Sequence, residues 1–199
     1  MSMNRFTVKN NKGFTLVESM IAVTILTFAV AGPLYTASRA LVAAEIARDK
    51  LTASYLAQEG VEYVRAMRDN EYLSAYQAGG GAISSTAWNN FLNGSNAASI
   101  TKCRAMTCTL DTYPTVIMGT GSGLSLQTCS GSSCTPLYLA NGIYTQQSTL
   151  TGAVRTSFTR TIKTTTVSAN DERVVSTVSW SFHEIPYVVT VTDHLTPWQ

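Results

Sequence analysis

The residues of this 199-residue chain that could do chemistry are an isolated carboxylate, two cysteine pairs, two histidines, and a scatter of serines and acids. Glu18 is the most constrained of them. It follows Lys12-Gly13-Phe14-Thr15-Leu16-Val17 and lies in residues 14–35, a stretch that is otherwise apolar apart from Ser19 and scattered Thr. A carboxylate near a bilayer centre costs about 2.5–3.5 kcal/mol on insertion scales, so Glu18 asks for a cation. Cys103 and Cys108, and Cys129 and Cys134, share the same local spacing. Zinc sites favour tighter pairs or added His, and an even cysteine count beside a targeting segment fits an oxidising compartment. Disulfides are therefore expected and no metal. Four cysteines allow three connectivities; the pairs Cys103–Cys108 and Cys129–Cys134 are favoured, because each closes a small loop.

Nothing places either histidine, His183 or His194, beside a nucleophile, and both read as surface or strand-end residues. Asp69, Glu71, Asp171 and Glu172 lack the spacing of a calcium loop and read as solvated turn carboxylates. Asn93-Gly94-Ser95 fits the N-glycosylation pattern only weakly. Trp88, Tyr113 and Trp198 could serve adhesion but are by default core or rim residues. The chain is accordingly not read as an enzyme and calls for no cofactor. A formal net charge of +2, with charged residues at 13%, argues against a nucleic-acid-binding surface over the whole molecule.

The elements that hold these residues follow from periodicity. Residues 14–35 are long enough to cross a bilayer, which takes about 20 apolar residues as a helix, and too long for the core of a cleaved secretory signal. The preceding Arg5, Lys9 and Lys12, with no acid among residues 1–13, place the amino terminus in the cytoplasm by the positive-inside rule. Helix formers continue over residues 38–68, where Leu56, Tyr63, Val64 and Met67 recur at near-helical spacing; Val42 and Ile46 begin a similar stripe. The stripe reads as core under a head, and Gly60 marks close packing or a bend. Asp69-Asn70 reads as the helix exit. Residues 74–100 have loop composition around Gly79-Gly80-Gly81, with a short helix predicted over 86–93.

The carboxyl-terminal part alternates with a period of two. Val174, Val178, Trp180 and Phe182 oppose Val175, Thr177, Ser179 and Ser181; Tyr187, Val189 and Val191 oppose Val188, Thr190 and Thr192. Phe158 and Ile162 share a face of a Thr-rich strand within 154–167. Turns are predicted at 168–172 and 183–186, and a fourth strand at 142–147. The fold class is α+β: a long helix packed by its second half on an antiparallel sheet spanning about 142–195.

The run Lys12-Gly13-Phe14-Thr15-Leu16-Val17-Glu18, with its basic leader and long apolar helix, resembles the processing motif of type IV pilins and type II secretion pseudopilins. The resemblance implies a leader, residues 1–13, removed by a prepilin peptidase between Gly13 and Phe14, and methylation of Phe14. It makes residues 14–68 one helix, with 14–35 the transmembrane and assembly segment, and residues 69–199 an extracytoplasmic head. It also implies a helix-kinking proline, a part Gly32-Pro33 can play. Leu56-Ala57-Gln58-Glu59-Gly60-Val61-Glu62 is similar to a segment of many minor pilins. The implied partners are other pilin or pseudopilin subunits in a helical filament, the peptidase, an inner-membrane assembly platform, and the lipid bilayer before assembly; nucleic acid is not among them. After cleavage the amine of Phe14 is one helical turn from Glu18, so Glu18 can pair with its own amine or a neighbour's and set axial register. The expected function is that of a minor pilin anchored once in the cytoplasmic membrane and later surface-exposed or in a periplasmic filament. The alternatives are a secretion pseudopilin, or a minor pilin whose head binds a surface or DNA through a basic or aromatic patch, for which only Lys102 and Arg104 lie near the cysteines.

Overall fold

A computed structural model describes residue 13 and residues 15–94, 99–112, 126–129 and 134–197. Helix α1 runs Leu16–Ala78. It is followed by α2 (Ile83–Asn93) and the single turn α3 (Lys102–Ala105), then by strands β1 (Cys108–Thr109), β2 (Gln127–Thr128), β3 (Tyr138–Ala140), β4 (Ile143–Thr145), β5 (Val154–Arg155), β6 (Thr159–Ser168), β7 (Asp171–Phe182) and β8 (Ile185–Leu195). The fold is α+β. The chain divides into two units, Met1–Ala47 and Arg48–Gln199.

In the second unit a five-stranded antiparallel sheet has the order β2-β1-β6-β7-β8, and a three-stranded sheet the order β4-β3-β5. The predicted alternation of β7 is present: Glu172, Val174, Ser176, Val178 and Trp180 are buried and the residues between them are not. Residues 142–147 do contain a strand, but β4 pairs with β3 rather than joining the main sheet. Their hairpin turns on Asn141 and Gly142, at φ +50° and +80°, the Asn-Gly signature of a tight turn whose twist matches its strands. The β7–β8 link is only His183-Glu184, both at positive φ, +49° and +67°; Ile185 and Pro186 already pair with Phe182 and Ser181. Pro186 is tolerated because β8 is an edge strand.

Helix α1 continues ten residues beyond Arg68. Asp69 and Asn70 do not stop it; Gly79 does, at φ +70° with its N–H bonded to the Tyr76 carbonyl at 3.2 Å, the left-handed cap glycine allows. Helix α2 begins three residues earlier than its predicted start and buries Trp88 and Phe91. Trp88 Nε1 donates to the Ala169 carbonyl at 2.8 Å, so this aromatic is core. Tyr113 and Trp198 lie outside the described residues.

The stripe on α1 is the head's core, in two parts. Tyr63, Val64 and Met67 pack with Phe91, Ile100, the Cys103–Cys108 disulfide, Ile162 and Val174; Ala53, Leu56 and Ala57 pack with Leu137, Phe158, Val178 and Trp180. Between the two apolar clusters runs a polar seam. Arg160 separates Phe158 from Ile162 on β6, Ser176 separates Val174 from Val178 on β7, and Glu59-Gly60 separate Leu56 from Val64 on α1. Arg160 is fully buried and pairs with Glu59, which is 40% exposed. Its guanidinium also donates to the carbonyls of Leu56 at 3.2 Å and Leu110 at 3.3 Å.

Gly60 is where the helix comes closest to the sheet. A Cβ there would lie 2.3 Å from Ser176 Oγ and 2.8 Å from Ile162 Cδ1. Gly60→Ala is therefore expected to destabilise the head: overpacking costs about 1–3 kcal/mol, against a helix-propensity gain of about 1 kcal/mol. Ser176→Ala removes both the nearest atom and a buried hydroxyl that has no hydrogen-bond partner among the described residues, and is expected to recover most of the loss. A double-mutant cycle by urea unfolding checks this; strictly additive effects would show that the two positions do not meet.

Candidate functional site

The amino-terminal unit has little within itself to pack against. Its helix contains an 18-residue window of mean hydropathy 1.8, none of it buried, and is long and apolar enough to cross a membrane. Leu16, Phe28 and Leu34 are 76%, 80% and 65% exposed, and Met20, Ile21, Val23, Ile25, Leu26 and Val30 are exposed too. A helix that is apolar all round belongs in lipid or among other helices.

Its polar side chains are spent on its own backbone. The hydroxyl of Ser19 donates to the Leu16 carbonyl, Thr24 to Ile21, Thr27 to Thr24 and Ser38 to Tyr35, each at 2.8 Å, and Thr36 to Pro33 at 2.9 Å. Hydroxyls satisfied in this way add no unmet hydrogen bond to the helix surface, which a hydrocarbon setting would penalise. The helix continues through Pro33. Pro33 has no N–H for the Ala29 carbonyl, and a Cβ on Gly32 would meet nothing within 4 Å. At the far end of the apolar stretch the Arg39 guanidinium lies 5.3 Å from the centre of the Tyr35 ring, an aromatic and a cation of the kind that sit at a membrane surface.

That leaves Glu18. Thr15 Oγ1 accepts the Glu18 N–H at 3.3 Å and the Thr15 carbonyl accepts the Ser19 N–H at 3.1 Å. Thr15 is thus the N-cap and Glu18 the third helical residue, the Thr-x-x-Glu spacing of a capping box. The sequence carried this signal, and the apolar context hid it. A carboxylate in the first turn also suits the positive end of the helix dipole. Glu18 is exposed, and no cation pairs with it among the described residues. Gly13 is exposed ahead of the cap; Phe14 and the basic leader lie outside the described residues.

In the head, the sequence-predicted groups are occupied structurally. Cys103 is bonded to Cys108 and Cys129 to Cys134, and no cysteine among the described residues is free. Glu172 is not a turn carboxylate, because β7 already starts at Asp171 and the strand's parity turns Glu172 inward. It is fully buried and receives both Nε and Nη2 of Arg104, at 3.0 and 3.1 Å. Arg104 is therefore a strut between α3 and β7 and contributes no free charge to a basic patch. Asp171 is bonded to His194 Nδ1 at 2.8 Å, Asp69 pairs with Arg68, and Glu71 is buried. His183 is exposed and stacks on Phe182, ring centres 4.3 Å apart. Arg65 joins α1 to β8 through Asp193 at 2.7 Å, a bond that pushes the guanidinium still further above its ordinary pKa. Among the described residues no group of three or more His, Cys, Asp or Glu is placed to hold a metal. Ser95 of the glycosylation pattern lies outside the described residues.

A family model described as the prokaryotic N-terminal methylation motif matches residues 8–32. It covers Gly13, Phe14, Glu18 and most of the apolar stretch, and it is the prepilin-type signature of type IV pilin-like and pseudopilin-like subunits. No curated protein and no solved structure matches the chain.

Proposed function

We propose that this chain is a structural subunit, a minor pilin, of a type IV pilus-like filament. The observation that carries the proposal is the coincidence of the methylation motif at residues 8–32 with a helix whose apolar window is wholly unburied. The leader, residues 1–13, holds the precursor with its amino terminus in the cytoplasm. A prepilin peptidase cuts between Gly13 and Phe14 and methylates Phe14. An inner-membrane platform then moves the helix from lipid into a bundle of like helices, so its apolar surface exchanges one low-dielectric setting for another. Glu18, which has no cation of its own among the described residues, takes the amine of a Phe14 and sets the axial step. The head stays outside the bundle.

Immunogold labelling of sheared surface filaments tests the role. Sparse or tip labelling supports a minor pilin, and labelling along the shaft makes it a major one. Absence from every filament, with retention in the envelope, makes it a secretion pseudopilin. Processing is tested separately. Gly13→Val puts a branched side chain on the exposed residue just before the scissile bond, and is expected to leave the precursor uncut. Intact-mass measurement of the membrane fraction checks it: a product beginning at Phe14 from the variant would overturn the assigned junction.

A further inference from the structure

The solvent face of the main sheet carries hydroxyls, two cations and the valines Val175 and Val188. Across β6 and β7 the paired rows are Thr161 with Thr177, Lys163 with Val175, and Thr165 with Arg173. Thr107, beside β1, extends the set; these seven residues line a cleft of about 370 Å³. On β8 the rows continue with Thr190 opposite Thr177, Thr192 opposite Val175 and His194 opposite Arg173. The Thr177 and Thr190 hydroxyls are 3.2 Å apart. The carboxylate nearest in register is Asp171, and His194 holds it at 2.8 Å. Lys163 and Arg173 are exposed and, like Arg39, Lys50, Lys102 and Arg155, have no ion-pair partner among the described residues, and only these two lie together in one cleft. The inward residues of the same strands account for the fold; nothing in the core requires this outward pattern.

We infer that this face is a binding site for an acidic polysaccharide, the kind of polymer that presents a carboxylate amid hydroxyls. Lys163 and Arg173 stand on a diagonal of the β6–β7 ladder, where neighbouring residues are about 7–8 Å apart and their Cβ atoms somewhat closer, close enough for both to address one carboxylate or two on successive sugars. Thr161, Thr177 and Thr190 stand in one row across the three strands, about 4.8 Å apart, and Thr190 and Thr192 are about 6.6–6.8 Å apart along β8, an array of donors and acceptors for sugar hydroxyls. Nucleic acid fits less well: two cations cannot match the six to ten phosphate contacts of a typical DNA-binding protein, and the cleft has no aromatic on which a base could stack.

The test uses the full-length chain in detergent micelles, titrated with polygalacturonate, with neutral dextran and duplex DNA as comparators. Saturable binding to polygalacturonate that weakens as salt rises is expected. Lys163→Gln and Arg173→Gln should each lower its affinity about tenfold, the scale of one lost charge-assisted contact, and Lys163→Arg should retain it. Both side chains are exposed, so the variants should keep the wild-type circular dichroism spectrum and melting curve. Absence of binding, binding that neither Gln variant changes, or equal binding of dextran would overturn the assignment. So would tighter binding of DNA, lost with the same substitutions, because the site would then belong to nucleic acid.

Discussion

Glu59→Ala is expected to cost the head about 3 kcal/mol, more than Arg160→Met, although Arg160 is the deeper residue. Arg160 is fully buried between two apolar clusters, and its one counter-charge among the described residues is Glu59 on the helix. Removing the carboxylate leaves a buried guanidinium without a counter-charge, which cannot reach water without opening the seam. Breaking a buried pair in this way costs about 3–5 kcal/mol, and the 40% exposure of Glu59 places this pair at the lower end. Arg160→Met removes the charge and keeps most of the volume. It also relieves Nε, which has no hydrogen-bond partner among the described residues. Against that, the Leu56 and Leu110 carbonyls each lose a donor, at about 0.5–1.5 kcal/mol per bond; Leu56 keeps its helical partner. The Met variant should therefore lose about 1–2 kcal/mol. Urea unfolding of the full-length chain in detergent, followed by the fluorescence of Trp180 in the adjoining cluster, ranks the two. If Arg160→Met proves the more damaging, the pair stabilises the head and is not a charge the fold has to accommodate.

This seam shows how far the chain could be read without coordinates. The amino-terminal half was legible because its signals are local: a basic leader, a glycine, a carboxylate at fixed spacing and an unbroken apolar run. The long strands were legible because twelve residues of β7 repeat the period of two many times over. Parity puts Arg160 on the face of Phe158 and Ile162, where a charge needs a partner, and that partner lies 101 residues back in sequence. Glu172 was misread for the same reason. A tight turn ending at Asn170 and a looser one ending at Glu172 have similar composition; the difference is fixed by Arg104, which no local pattern announces. Strands of two residues, such as β1, β2 and β5, carry no periodicity at all and exist only because neighbouring strands offer them partners: β6 to β1, β1 to β2 and β3 to β5. The end of α1 was misplaced because Asp and Asn are weak breakers, whereas the run of glycines ten residues on was the real stop.

Glu18→Gln is expected to assemble as poorly as Glu18→Ala, with at least about tenfold less subunit in filaments than wild type, the equivalent of about 1.4 kcal/mol. On the proposed assembly, this carboxylate has two separable roles. As the third residue of a helix capped by Thr15, it supports the first turn and faces the positive end of the dipole. As a charge with no cation partner among the described residues, in a membrane-length segment, it needs a cation, which the amine freed at Phe14 would supply. Glutamine keeps much of the first role, since it leaves the Glu18 N–H bond to Thr15 Oγ1 in place and is as good a capping-box residue as glutamate, and loses the second. If capping is what matters, Gln should perform close to Glu and only Ala should fail. If neutralisation sets register, both fail alike, while both variants remain in the membrane at least as well as wild type, because removing a carboxylate lowers the cost of insertion. Quantifying subunit in sheared filaments against subunit in the membrane separates the two cases. Normal incorporation of the Gln variant would reduce Glu18 to a helix-capping residue and remove the reason for expecting a charge-set axial step.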